Sequence, residues 1–164
     1  MIEYSRKGRN YPFPIFLSTA PDWEPLKTLE FPSKYSVLLL LADYNSTSQD
    51  QLTEIAFNLV KRGIRSVFCW GKNSNLGHIS FDLGIIEQPE FEEDSLDIPT
   101  ADYDSKDQSF EEALWYTLNC AMPDDEYWDE CSTVIINLGQ AAPQVDLESC
   151  LSDLKSFDDR LVST

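Results

Sequence analysis

Two hydrophobic patterns alternate along the chain. Residues 35–42, Tyr35-Ser36-Val37-Leu38-Leu39-Leu40-Leu41-Ala42, are apolar almost without interruption and stop at Asp43. Continuous apolar character over this length is what a parallel strand covered on both faces needs. Asn45, Ser46, Thr47 and Ser48 then offer helix N-caps, and Leu52, Ile55, Ala56, Leu59 and Val60 follow at helical spacing. Lys61, Arg62 and Gly63 suit the end of that helix. Residues 65–70 repeat the strand pattern and stop at Gly71. A second helix is expected over about 76–87, with Ile79, Leu83 and Ile86 on one face and Pro89 behind it. After a possible short strand near 96–100, Ser109 and Glu112 form a capping box. It opens a helix through about Cys120. Residues 133–138 are the last strand, and Leu147, Cys150, Leu151 and Leu154 mark a final helix. This alternation predicts an α/β fold with three layers and a mostly parallel sheet of four or five strands, Rossmann-like or flavodoxin-like.

The first 34 residues break the pattern. Pro12, Pro14, Pro21, Pro25 and Pro32 stand among Tyr11, Phe13, Phe16, Trp23 and Phe31. Prolines this dense exclude a helix and disfavour a central strand. Residues 1–34 are therefore expected to form an extended arm packed on an α/β domain at 35–164, with at most a short edge strand at 15–18.

Charge changes the picture more than composition does. The chain has 164 residues, 42% of them hydrophobic, and a net charge of −17. Residues 1–34 carry net +1, 35–86 net 0, 87–131 net −15 and 132–164 net −3. The acidity is thus local. Such a balance disfavours direct nucleic-acid binding through phosphates and attachment to an anionic membrane. The longest apolar run, residues 37–42, is far short of the ~20 residues of a membrane span. The polar start, Met1 to Lys7, has no apolar stretch behind it, so no signal peptide is expected. Four scattered cysteines without a C-x-x-C pair, and one histidine, predict free thiols in a reducing cytoplasm and no metal site.

Ligands of open parallel sheets bind outside the carboxyl ends of the strands. Here those ends are Asp43 and Asn45 after the first strand, Trp70 and Lys72 after the second, and Asn137 after the last. His78 and Asp82, i and i+4 on the second helix, share a face and could orient an imidazole for proton transfer or simply pair. These seven residues are the candidate pocket. The start at Asp43 resembles that of haloacid-dehalogenase-type phosphotransferases, but Asn45 stands where their second Asp would be, which rejects the reading. Phosphate-loop, dinucleotide-binding and nucleophile-elbow motifs are absent, so no cofactor is expected. Asp102, Asp104 and Asp107 lack the glycine and glutamate of a calcium loop and read as solvated acidity.

The second candidate is a surface. Glu92, Glu93, Asp94 and Asp97 lie in the acidic segment with Trp115, Tyr127 and Trp128, the makings of aromatic anchors inside a charged rim. A further pattern combines Cys69-Trp70-Gly71, His78 with Asp82, and Glu112-Ala113-Leu114-Trp115. Over roughly residues 35–140 the chain resembles a small bacterial family of unknown function. That resemblance implies no catalytic residues, only that Trp70, His78, Asp82 and Trp115 belong together. The sequence therefore favours a non-catalytic interaction or regulatory module that meets a basic protein partner through the acidic-aromatic segment. The alternative is a small-molecule or phosphate-binding enzyme with its pocket at the strand ends. Nothing in the pattern sets an oligomeric state.

Overall fold

The computed structural model describes residues 1–4, 14–41, 49–86, 98–120 and 131–162. Its centre is a six-stranded sheet. The strands are β1 (Ile2–Tyr4), β2 (Ile15–Ala20), β3 (Tyr35–Leu41), β4 (Ile64–Gly71), β5 (Thr100–Tyr103) and β6 (Ser132–Leu138). Their order across the sheet is β1-β2-β6-β3-β4-β5. Only β1 is antiparallel to its neighbour; the other pairings are parallel. The three apolar runs expected to be parallel neighbours are β6, β3 and β4, side by side. All seven residues of β3 and of β6 are buried, as the unbroken apolar pattern requires.

Among the described residues five α-helices cover the sheet: α1 (Gln49–Lys61), α2 (Ser74–Ile86), α3 (Phe110–Asn119), α4 (Gln144–Ser152) and α5 (Leu154–Val162). Alternation along each strand divides the core in two. Val37, Leu39, Leu41, Val67, Cys69, Val134 and Ile136 pack with the buried residues of α1 and with Phe81 of α2. Leu38, Leu40, Phe68, Trp70 and Ile135 pack with Ala113, Leu114 and Leu118 of α3, Leu147 and Leu151 of α4, and Phe157 of α5. The result is a three-layer α/β arrangement. Among the described residues no helix is long and apolar enough to cross a membrane.

Four local expectations need correction. Residues 15–20 do not form an edge strand of an arm: β2 lies inside the sheet, parallel to β6 over its whole length, with β1 outside it. Pro14 and Pro21 flank this strand without interrupting it, so its ladder is intact; Pro14 even lends its carbonyl to Thr133 N. Residues 24–28 form a short 3-10 turn, which Arg62 holds down by donating to the carbonyls of Leu26, Lys27 and Leu29. The strand placed near 96–100 runs instead from Thr100 to Tyr103, which puts Asp102 in the ladder opposite Cys69. The final helix is two, because the Asp153 carboxylate accepts from the backbone N–H and hydroxyl of Ser156 and starts a new helix there.

Another departure concerns α2. Its large apolar residues Leu76, Ile79, Leu83 and Ile86 are exposed, while Ser74, Gly77, Ser80, Phe81 and Gly84 face inward. Small residues let this helix come close. A Cβ on Gly77 would stand 2.9 Å from Cys69 Sγ and 3.0 Å from Leu41 Cδ1; one on Gly84 would stand 3.0 Å from Ala56 Cβ.

Candidate functional site

The His78 cluster is built between α2 and the edge strand β5. Nδ1 of His78 lies 2.8 Å from Asp102 Oδ1, a hydrogen bond, and Nε2 stands 3.4 Å from Asp82 Oδ2. Thr100 Oγ1 donates to Asp82 Oδ1 at 2.7 Å, and Ser74 Oγ donates to Asp102 Oδ2 at 3.4 Å. Every one of these side chains bridges α2 and β5. Asp102 was not legible as a partner, because its place depends on the long-range register of β5 on β4. Both ring nitrogens face carboxylates. The nearest thiol, Cys69, is fully buried; burial, then the charges of Asp102 and Asp82, push its pKa far up and suppress the thiolate. The cluster pins β5 to α2.

Among the described residues, the candidate pocket residues do not gather on one face of the sheet. Leu40 of β3 is in register with both Trp70 and Asn137, so these two side chains lie on the α3 face of the sheet, while His78 and Asp82 lie on the α2 face. Trp70 is spent in the core: Nε1 donates to the Gln108 carbonyl at 2.9 Å and its ring meets Phe110 edge-on. Asn137 is fully buried and closes the turn behind β6, donating to the Ala142 carbonyl and accepting from the Ala142 N–H. Lys72 is exposed beyond β4. Asp43 and Asn45 lie outside the described residues, as do Glu92, Glu93, Asp94, Asp97, Tyr127 and Trp128. Of the four residues grouped by resemblance, His78 and Asp82 pair on one face, while Trp70 and Trp115 both pack on the other.

Trp115 does stand in a site. A cleft of about 540 Å³ opens between α3, α5 and the end of β5, lined by Tyr103, Gln108, Glu112, Trp115, Tyr116, Leu161 and Val162. The capping box starts α3 as its sequence requires, with Ser109 Oγ accepting from Glu112 N and the Glu112 carboxylate accepting from Ser109 N and Oγ. Those bonds hold the Glu112 carboxyl below its ordinary pKa. Arg160–Glu111 at 3.1 Å and Asn119–Asp158 at 3.3 Å tie α5 alongside. Tyr103 and Tyr116 meet edge to face at 5.6 Å, and burial foremost raises the Tyr103 hydroxyl well above its ordinary pKa. Two polar atoms of the lining are shut off from solvent with no partner among the described residues: the Trp115 Nε1 donor and the Gln108 Oε1 acceptor. Each such orphan costs about 1–3 kcal/mol until it is satisfied.

A second cleft, of about 400 Å³, sits over the ends of β3 and β6. Leu41, Leu138, Leu52 and Ile55 form its floor, and Asp22, Trp23, Glu24, Lys27, Gln51 and Glu54 complete the lining. From β3 the chain steps to β4 and β5 on one side of the sheet, then returns to β6 on the other. The cleft therefore lies where the strand order reverses, the usual ligand position in such sheets.

Fold and clefts together define a doubly wound α/β domain with an antiparallel edge strand and with clefts above the strand ends and beside α3. Residues 15–154 match a protein family described as a domain of unknown function (DUF7684), and the chain belongs to that family. The matched region begins at the first residue of β2, in keeping with its place inside the sheet. No curated protein matches the sequence.

Proposed function

We propose that the protein is a non-catalytic interaction module that binds a basic segment of a partner protein through the cleft at α3. The observation that carries this reading is the composition of that cleft. Aromatic rings of Tyr103, Trp115 and Tyr116 lie beside Glu112, and two residues of the same lining, Trp115 and Gln108, each hold a buried polar atom with no partner among the described residues. A cation against aromatic faces and a carboxylate gains about 0.5–2 kcal/mol, more where water is excluded. A peptide group supplies one acceptor and one donor, which meet Trp115 Nε1 and Gln108 Oε1 only as those side chains turn outward on binding. The charge of residues 87–131 supports the same partner, since a field of one sign steers an oppositely charged segment and speeds encounter.

The test is capture of partners from source cells by the wild type, by Trp115→Ala and by a variant with Glu92, Glu93, Asp94 and Asp97 changed to Gln or Asn. A basic partner held by the wild type, weakened by salt and lost from both variants, supports the module. Equal recovery by all three proteins rejects it.

A further inference from the structure

We infer that the cleft between the ends of β3 and β6 is a second binding site, for a small primary amine with an apolar body. The floor is aliphatic: Leu41 and Leu138 end their strands there, and Leu52 and Ile55 belong to the buried face of α1. Such a floor accepts a hydrocarbon or aromatic body and gives it no polar partner. The rim sets the charge. Lys27 is already engaged, 2.6 Å from Glu24 Oε1 and 4.0 Å from Glu54 Oε1. Asp22, Glu24 and Glu54 together outnumber that one cation. Glu54 is well exposed, so its carboxylate is available at the mouth.

This charge balance separates the candidate ligand classes. A phosphate or carboxylate entering here would meet Lys27 only by displacing Glu24, with two further carboxylates nearby. An ammonium meets the carboxylates directly, and only partly competes with Lys27. A third feature is the wall: Trp23 packs on the core beneath, and its Nε1 is buried with no partner among the described residues. The indole lines the cleft, so a ligand that enters changes the surroundings of its ring and, through them, its N–H signal. The site is independent of the α3 cleft, sharing no residue with it.

The experiment uses three probes with the same phenyl body: 2-phenylethylamine, 2-phenylethanol and phenylacetate, with inorganic phosphate as a fourth arm. Each is titrated into the 15N-labelled full chain, and the indole Nε1 signals are followed, that of Trp23 being assigned by Trp23→Phe. Millimolar 2-phenylethylamine is expected to move the Trp23 signal and leave that of Trp115 in place. The alcohol should bind at least threefold more weakly, and phenylacetate and phosphate should not saturate. Glu54→Lys, an exposed change that leaves the core intact, should weaken the amine at least fivefold. An unmoved Trp23 signal, binding of phenylacetate or phosphate as tight as that of the amine, or unchanged amine binding by Glu54→Lys would each overturn the assignment. Because Trp115 is read in the same spectra, failure here is distinct from failure of the α3 cleft.

Discussion

The two faces of β4 are closed in different ways. Towards α2, Cys69 lies under Gly77 at close range, and the polar groups above it, His78, Asp82, Thr100, Ser74 and Asp102, satisfy one another. Towards α3, Trp70 and Phe68 support a layer of aromatic rings that leaves a cleft, with Trp115 and Gln108 each holding an unpartnered polar atom. Both faces carry the residue types that suggest chemistry. The one with the histidine is the finished one, and the one with the tryptophan is open. Hydrogen-bond satisfaction separates a structural polar cluster from a binding surface better than residue type does. The α2 face has its own orphan, the Ser80 hydroxyl, in a residue that is fully buried and lines neither cleft.

The largest test of this contrast is to spoil the tight face. Gly77→Val would drive a branched side chain into Cys69 and Leu41, and overpacking of this kind costs about 2–3 kcal/mol. A thermal melt should show Tm lowered by roughly 5–10 °C for a domain of this size. If Gly77→Val is neutral, the face is not tightly closed. On the open face, Trp115→Ala should cost about 2 kcal/mol of partner binding, roughly thirtyfold. Trp115→Phe, which keeps a ring and removes the orphaned N–H, trades an unmet desolvation cost of about 1–3 kcal/mol against a smaller loss of packing, so stability should be unchanged or raised. A large loss of stability in Trp115→Phe would mean that the indole N–H is already satisfied.

Asp102→Asn and His78→Ala should each cost about 1–2 kcal/mol in a urea melt, the usual loss when a part-buried hydrogen bond is left one-sided. Amide exchange should then rise in β5 before it rises in β6. Unchanged stability in both variants would remove the pinning role and return His78 to consideration as a functional group. The smallest effect concerns acid. Ser109 holds Glu112 below its ordinary pKa of 4.5, so the carboxylate contributes fully above that value, and the contribution is lost as pH falls through the lowered pKa. Glu112 is exposed, so the contribution is under about 0.5 kcal/mol. The stability gap between wild type and Glu112→Ala should narrow in melts run below pH 4.5 and be constant above it.

The same contrast explains what could be read from the chain. The β3, β4 and β6 runs and the Ser109 capping box are local patterns with strong physics, and the structure holds them where the pattern places them. His78–Asp82 is also local, one helical turn apart. Asp102 is not: its pairing with His78 is made by the register of an edge strand reached through a long connection. The inward face of α2 was hidden for another reason. Pattern reading follows large apolar residues, whereas a helix pressed against a sheet buries its small ones, here Gly77, Ser80 and Gly84. Trp70 stands at the end of the second strand and His78 just beyond it, yet alternation sends Cys69 and Trp70 to opposite faces, and His78 goes with Cys69. The aromatic cleft depends on Leu161 and Val162, far from Trp115 in sequence and brought there by the second of two short helices.

The central claim is that the α3 cleft receives a basic segment. Its most direct measurement is the fluorescence anisotropy of a labelled arginine-rich peptide titrated with the full-length wild type and with Trp115→Ala, at about 0.05 and 0.3 M salt. The higher salt shortens the Debye length to well under 10 Å. Saturable binding by the wild type, at least tenfold weaker in Trp115→Ala and weakened again by salt, is the expected result. Equal affinity for the two proteins, or binding that does not respond to salt, would contradict the account.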